Sequence, residues 1–232
     1  MLITDILPTN LGVEICPFHD EIKSLILDEI SDHGDTYEYR KPKANTLEHI
    51  DYYSPLHADK FTKFREWIQE QAEIYARDIL GYDVSDLIVT DSWINICKPG
   101  GHQVPHYHVN SFVCALYYVN FDDNVDSPTY FWRSIPSPIR DTEFPVMLTR
   151  KNQTKYNSLN EIVGLEGTLL LWPSNLIHGY KTNYTQNRIT ISTNIMPTRI
   201  GSYRIQSLNQ EERHKQMLAQ RSGQLWDVPE FI

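Results

Sequence analysis

Three histidines, His102, His106 and His108, fall within seven residues in the run GHQVPHYHVNS, and a fourth, His178, follows the apolar run GTLLLWPSNLI. Imidazole suits iron, zinc, copper and nickel, whereas clustered imidazoles have no packing value. Residues two apart on a strand point to the same face. His106 and His108 therefore face one metal if their segment is extended, and Pro105 favours extension of the residue before it. His178, arriving on a second strand, closes a facial set of three that leaves coordination positions open. Arg188 lies ten residues beyond His178, room enough for a turn and a return strand. Pointing inward, its planar fork would pair bidentately with a carboxylate. Thr190 shares that face, and Tyr118 keeps the parity of His106 and His108 and offers another hydroxyl. The chemistry these residues describe is an open metal centre beside a receptor for the far end of a dicarboxylate.

A fold must bring these positions together, and the chain is long enough to supply one. Its 232 residues are 41% hydrophobic and 22% charged, the composition of a globular protein rather than a disordered one. Thirteen prolines, ten glycines and 12% aromatics favour a β-rich fold with many turns. Residues 1–16 read as an edge strand leading into a helix over 17–31, with Pro17 in its first turn. Residues 32–56 read mostly as loop. A strong helix is expected from Pro55 to Leu80, where Phe61, Phe64, Ile68, Tyr75 and Ile79 recur every three or four residues, and Gly81 would cap it. Beyond Gly81 come short β-branched and aromatic runs at 86–97, 111–121, 129–132, 167–173 and 187–197, separated by turn residues. This is the texture of a sandwich or barrel, without the crossover helices of a parallel sheet. Residues 207–222 have high helix propensity and read as a surface helix or arm, docked by Trp226 and Phe231.

At these residues the sequence resembles a known family. P-H-Y-H-V-N-S, then A-L-Y-Y-V-N, then G-T-L-L-L-W-P-S-N-L-I-H-G-Y, then N-R-I-T-I-S-T-N-I looks like the iron(II)/2-oxoglutarate-dependent oxygenases, and most like a branch carrying P-H-x-H-x-N-S. The resemblance covers about residues 90–197. It implies a mainly β chain with flanking helices whose core is a double-stranded β-helix, a cupin-like jelly roll. It further implies Fe(II) held by His106, His178 and His108, with 2-oxoglutarate as cosubstrate, O2 as oxidant, and Arg188, Thr190 and Tyr118 binding the cosubstrate. Most of the family has H-x-D at the first two ligand positions, and here the second is His108. Three arrangements follow: His108 as a third imidazole, a two-histidine site completed by water as in aspartyl hydroxylase-like members, or a set that includes His102.

Other classes are weighed against the same residues. A cupin-like metal enzyme without 2-oxoglutarate has no need of Arg188 and Thr190 at that offset, and a non-catalytic jelly-roll module has no need of the histidines. His19, His33, His49, His57 and His214 read as ordinary surface or core residues. Trp93, Trp132 and Trp172 read as core, and Asp122, Asp123 and Asp126 as a solvated turn lacking the calcium-loop pattern. Asn95 and Asn110 are pocket-lining or turn residues. A net charge of −9 disfavours a nucleic-acid partner. Three cysteines, Cys16, Cys97 and Cys114, lie far apart without C-x-x-C spacing, which disfavours a disulfide framework or zinc ribbon. No signal peptide or membrane span is read, so a cytoplasmic location is the default. The division expected is 1–85 as N-terminal strand and helices, 86–200 as catalytic core and 201–232 as a C-terminal arm that could swap onto a neighbouring copy in a homo-oligomer. No motif names the primary substrate, whose side is expected to be built by the N-terminal helices, the 133–160 insertion and the arm.

Overall fold

Alternate residues of the run VCALYYVN enter two different cores. Val113, Ala115, Tyr117 and Val119 join one apolar cluster, while Cys114, Leu116 and Tyr118 join another. The run TLLLWP does the same, with Leu169 and Leu171 on one side and Leu170 and Trp172 on the other. Strands that are apolar on both faces must be covered on both, and the architecture follows from that. The computed structural model describes residues 9–32, 41–43, 47–50, 54–84, 86–132, 159–162, 164–186, 188–200 and 203–204; for 41–43, 47–50, 159–161, 199–200 and 203–204 it describes the backbone alone.

The elements in chain order are β1 (Gly12–Ile15), α1 (His19–Asp32), β2 (Lys41–Lys43), β3 (Leu47–Ile50), α2 (Thr62–Ile74), β4 (Leu87–Cys97), β5 (Gln103–His106), β6 (Val113–Asn120), β7 (Thr129–Trp132), β8 (Leu159–Ile162), β9 (Thr168–Pro173), β10 (Ile177–Tyr180), β11 (Arg188–Pro197), β12 (Arg199–Ile200) and β13 (Tyr203–Arg204). A seven-stranded sheet has the order β1-β9-β6-β11-β4-β3-β2, and a four-stranded sheet the order β5-β10-β7-β8. All pairings are antiparallel. The two sheets enclose the cluster of Cys114, Leu116, Tyr118, Phe131, Leu170 and Trp172. This is the expected mainly β fold with flanking helices, a double-stranded β-helix.

The helices lie on the outer face of the larger sheet. Ile22 and Ile26 of α1 and Phe64, Ile68 and Ala72 of α2 are buried against Tyr117, Val119, Leu169 and Ile191. Phe64 meets Tyr117 edge-on at 4.8 Å between ring centres, a favoured aromatic geometry. The helices thus cover the face opposite the inter-sheet space.

Four local expectations are corrected. The reading of 32–56 mostly as loop missed two strands, β2 and β3, which extend the large sheet beside β4; residues 33–40, 44–46 and 51–53 lie outside the described residues. Pro17 lies in the turn before α1 rather than in its first turn. The helix expected from Pro55 begins as two short 3-10 turns, Pro55–His57 and Asp59–Phe61. It ends in a π-helical turn over Tyr75–Ile79, where the Leu80 N–H donates to the Tyr75 carbonyl at 3.0 Å. That wider turn shifts the register, so Ile79 leaves the apolar stripe and is 49% exposed. Gly81 closes the helix at φ 75°, as expected of a left-handed cap. The 207–222 segment, Trp226, Phe231 and residues 133–158 lie outside the described residues.

Gly164 is required by close approach. A Cβ there would stand 2.1 Å from Cε2 of Tyr118, a ring that is fully buried and has nowhere to retreat. Gly164→Ala is expected to lower the unfolding free energy by about 1–3 kcal/mol, measured by denaturant melting. Gly81→Ala, with nothing within 4 Å of its added Cβ, should carry only the backbone term of about 1–2 kcal/mol.

Candidate metal centre and anion receptor

His178 is paired directly with His106 in the β10–β5 ladder and with Phe131 on its other side. Directly opposed residues present their side chains on the same face, so the two imidazoles converge. His108 lies beyond the end of β5, so strand alternation is not what aims it. Its backbone N–H donates to the Ser174 carbonyl at 2.9 Å, and its ring stacks on Trp93 with centroids 5.8 Å apart. One potential ligand atom from each of His106, His108 and His178 lies within 4.8 Å of the other two, and this is the one such histidine group among the described residues.

The hydrogen bonds select the nitrogen that faces the shared space. Nδ1–H of His106 donates to the Val104 carbonyl at 3.0 Å, and Nδ1–H of His178 to the Leu176 carbonyl at 2.9 Å. Nδ1–H of His108 donates to Oδ1 of Asn194 at 2.6 Å. A proton fixed on Nδ1 leaves the lone pair on Nε2, the arrangement that orients histidine ligands in metal sites. Burial, helped by the neighbouring His106, pushes His178 down to about 3, so it is a neutral donor at neutral pH. A small cavity of about 10 Å³ adjoins the trio, walled by Trp93, Leu116 and Trp172.

Arg188 opens β11 and is fully buried. Its Nε–H donates to the Ser127 carbonyl at 2.9 Å. The guanidinium lies over the Tyr180 ring at 3.8 Å and near the Tyr118 ring at 5.8 Å. Among the described residues Nη1 and Nη2 have no hydrogen-bond partner of normal geometry, nor has the buried hydroxyl of Tyr180. Burial holds both tyrosines above the usual phenol range, against the opposing pull of the guanidinium, so they remain neutral hydroxyls. Tyr118 shares a 2.7 Å hydrogen bond with Thr129. Thr190, also fully buried, pairs with Tyr118 on one side and Asn95 on the other. Asn95 donates to Ser192 at 3.0 Å and reaches Thr190 at 3.5 Å. Tyr180 follows His178 by two residues on β10, so the receptor stands about 7 Å along the strand from the trio.

Several sequence readings resolve differently. His102 is exposed and outside the trio. His19 bonds the Tyr117 hydroxyl at 2.7 Å on the helix-covered face. His33 and His214, and the side chain of His49, lie outside the described residues. Trp132 and Trp172 are buried, but Trp93 stacks on a site histidine rather than serving only as core. Asp126 is buried, not solvated, and accepts from the Asp122 N–H at 2.8 Å. Asn194, Tyr180 and Ser127 are site residues that the reading missed. Asn194 was accessible from strand parity, being six residues from Arg188 on one strand.

The arrangement is a double-stranded β-helix with neutral nitrogen donors at one point and a buried cation at another. Residues 91–194 match the model of the family described as "Putative 2OG-Fe(II) oxygenase". This segment, a little under half of the chain, is similar to the 2OG-Fe(II) oxygenases. No curated protein matches the chain. Among solved structures, HygX from Streptomyces hygroscopicus with nickel, 2-oxoglutarate and hygromycin B bound is 15% identical, with a TM-score of 0.56 over 84% of this chain and 86% of that one. The epimerase SnoN in complex with Fe3+, alpha ketoglutarate and nogalamycin RO is 13% identical, with a TM-score of 0.57 over 82% and 80%. A Pseudomonas putida prolyl-4-hydroxylase is 12% identical, with a TM-score of 0.53 over 82% and 93%. At these identities the likeness is one of fold.

Outer partners of histidine ligands typically govern metal affinity by 10–100-fold. Asn194→Leu, which removes the acceptor that orients His108, is expected to weaken iron(II) binding by about that factor, measured by anaerobic metal titration.

Proposed function

We propose that the chain is an iron(II)- and 2-oxoglutarate-dependent hydroxylase in which His106, His108 and His178 hold the metal and Arg188, with Thr190 and Tyr118, receives the far carboxylate of 2-oxoglutarate. The observation that carries this reading is the buried guanidinium of Arg188, whose two terminal nitrogens have no hydrogen-bond partner among the described residues. A buried unpaired charge costs several kcal/mol, and a planar fork is matched by a carboxylate through two parallel hydrogen bonds. Three neutral imidazoles leave the double charge of iron(II) uncompensated. A dianionic cosubstrate spanning metal and guanidinium places one negative charge at each, neutralising the guanidinium and half of the iron's charge.

Iron with 2-oxoglutarate and O2 supplies the oxidising chemistry, coupling decarboxylation of the cosubstrate to oxidation of the primary substrate. The chain's own residues bind and orient. Hydrogen bonds from each Nδ1–H hold the histidines with Nε2 forward. Trp93, Leu116 and Trp172 wall the metal cavity against water. Tyr118 and Tyr180 bracket the guanidinium, and no side chain is required as a general base. On this reading residues 86–200 form the catalytic core and 1–85 an N-terminal strand and helices packed on it, while residues 205–232 lie outside the described residues. The three buried, unpaired cysteines fit a reducing, cytoplasmic setting. Among the described residues no helix is long and apolar enough to cross a membrane.

The test is an anaerobic titration of the protein with iron(II) and 2-oxoglutarate, followed by visible absorbance. A broad charge-transfer band is expected with the native chain. His178→Ala should abolish it, and Arg188→Ala should raise the 2-oxoglutarate concentration needed by at least tenfold, the loss of about 1.5–3 kcal/mol for hydrogen bonds to a charged group. Iron binding without the band would overturn the 2-oxoglutarate reading in favour of a cupin-like metal enzyme. Failure to bind metal would overturn both and leave a jelly-roll binding module.

A further inference from the structure

Asn183 is fully buried in the turn before β11 and ties three separate segments together. Its Oδ1 accepts the Ser127 N–H at 2.7 Å. Its Nδ2 donates to the Thr185 carbonyl at 3.2 Å and to the Thr185 hydroxyl at 3.1 Å. Its backbone N–H donates to the Gly101 carbonyl at 2.8 Å, and its carbonyl accepts the Gly100 N–H at 2.6 Å. Thr185 passes its own proton to the Asp126 carboxylate, whose other oxygen accepts the Asp122 N–H at 2.8 Å. The 122–127 loop is thereby fixed at its far end through Asp126 and Ser127, and Asp126 holds its start through the Asp122 N–H.

Ser127 is the residue whose carbonyl holds Nε of Arg188. Among the described residues the guanidinium makes no other hydrogen bond of normal geometry, and its two aromatic neighbours constrain its plane but not its rotation within that plane. A fork delivers two parallel hydrogen bonds only when its in-plane orientation is right. That orientation depends on the Ser127 carbonyl, and the placement of Ser127 depends on the Asn183 amide. An amide suits the position because it must accept from one N–H and donate to two oxygens at once. A carboxylate would lose the donor and add a like charge beside Asp126.

We infer that Asn183 is the positioning residue that orients Arg188 for the far carboxylate of the cosubstrate, and so sets the preference for a dicarboxylic over a monocarboxylic 2-oxo acid. The inference rests on the reading of Arg188 as the carboxylate receptor.

The test compares 2-oxoglutarate with 2-oxopentanoate, which has the same chelating end and chain length but a methyl group in place of the far carboxylate. Affinities for the iron(II)-loaded protein are read anaerobically from the visible band. The native chain is expected to prefer 2-oxoglutarate strongly. Asn183→Ala should lose about tenfold in 2-oxoglutarate affinity, the scale of one impaired charge-assisted hydrogen bond, with iron and 2-oxopentanoate affinities unchanged. Equal losses for both 2-oxo acids, or none, would overturn the inference, since a general loosening of the fold does not discriminate between them. Should Asn183→Ala fail to fold, Thr185→Val breaks the neighbouring link while keeping a branched side chain. The same selective loss supports the inference, and an equal loss or none overturns it. Arg188→Ala separates the two levels. If it abolishes the native preference while Asn183→Ala keeps it, only the positioning role falls. If the native chain shows no preference, the receptor reading falls and takes the inference with it.

Discussion

A guanidinium sealed between two sheets without a carboxylate partner governs the arrangement around it. Arg188 is fully buried, and such a charge persists in an apolar interior only if its surroundings compensate it. One carbonyl, from Ser127, and two tyrosine faces supply part of that compensation. Cation–π contacts are worth about 2 kcal/mol or more when desolvated, below the several kcal/mol of burying the charge. The balance is a standing demand for an anion at one end of the inter-sheet space. The histidines gathered around His178, about 7 Å along β10, answer with the opposite property, three imidazoles and no negative charge.

Sheet alternation separates that chemistry from the rest of the fold. On β6, odd positions feed the core beneath the helices and even positions the core between the sheets. Tyr117 and Tyr118 show the division most sharply. The first meets Phe64 edge-on and bonds His19, and the second lies against the guanidinium. The helical layer can vary in sequence without touching the site, provided Tyr117 and its neighbours keep their packing.

The strands were legible because the larger sheet is built from long β-branched and aromatic runs, and β4, β6, β9 and β11 lie within a residue or two of the expected stretches. The short strands were harder to see. β2, β3 and β8 span three or four residues each, and a segment of that length carries almost no periodic signal; their strand character comes from pairing with neighbours. The π turn at Tyr75–Ile79 was equally hidden, since the apolar spacing continues through it while the backbone does not. Within the site, His106, His108, His178 and Arg188 stood out because their residue types are chemically conspicuous. Asn183 and Asn194 did not. A buried asparagine, in a loop like Asn183 or on a strand like Asn194, does not declare its partners, and those partners, Ser127 and His108, are 56 and 86 residues away in sequence.

The three histidines are not oriented in the same way. His106 and His178 each bond the carbonyl two residues earlier in their own chain segment, so their poses are properties of β5 and β10 themselves. His108 takes its orientation from Asn194 on β11 in the other sheet. The centre is therefore modular: two donors come built into a hairpin-like pair of strands, and the third is borrowed across the sandwich. Any change in how the two sheets sit on one another is registered first at His108, which makes that position the adjustable one and leaves the other two as an invariant base.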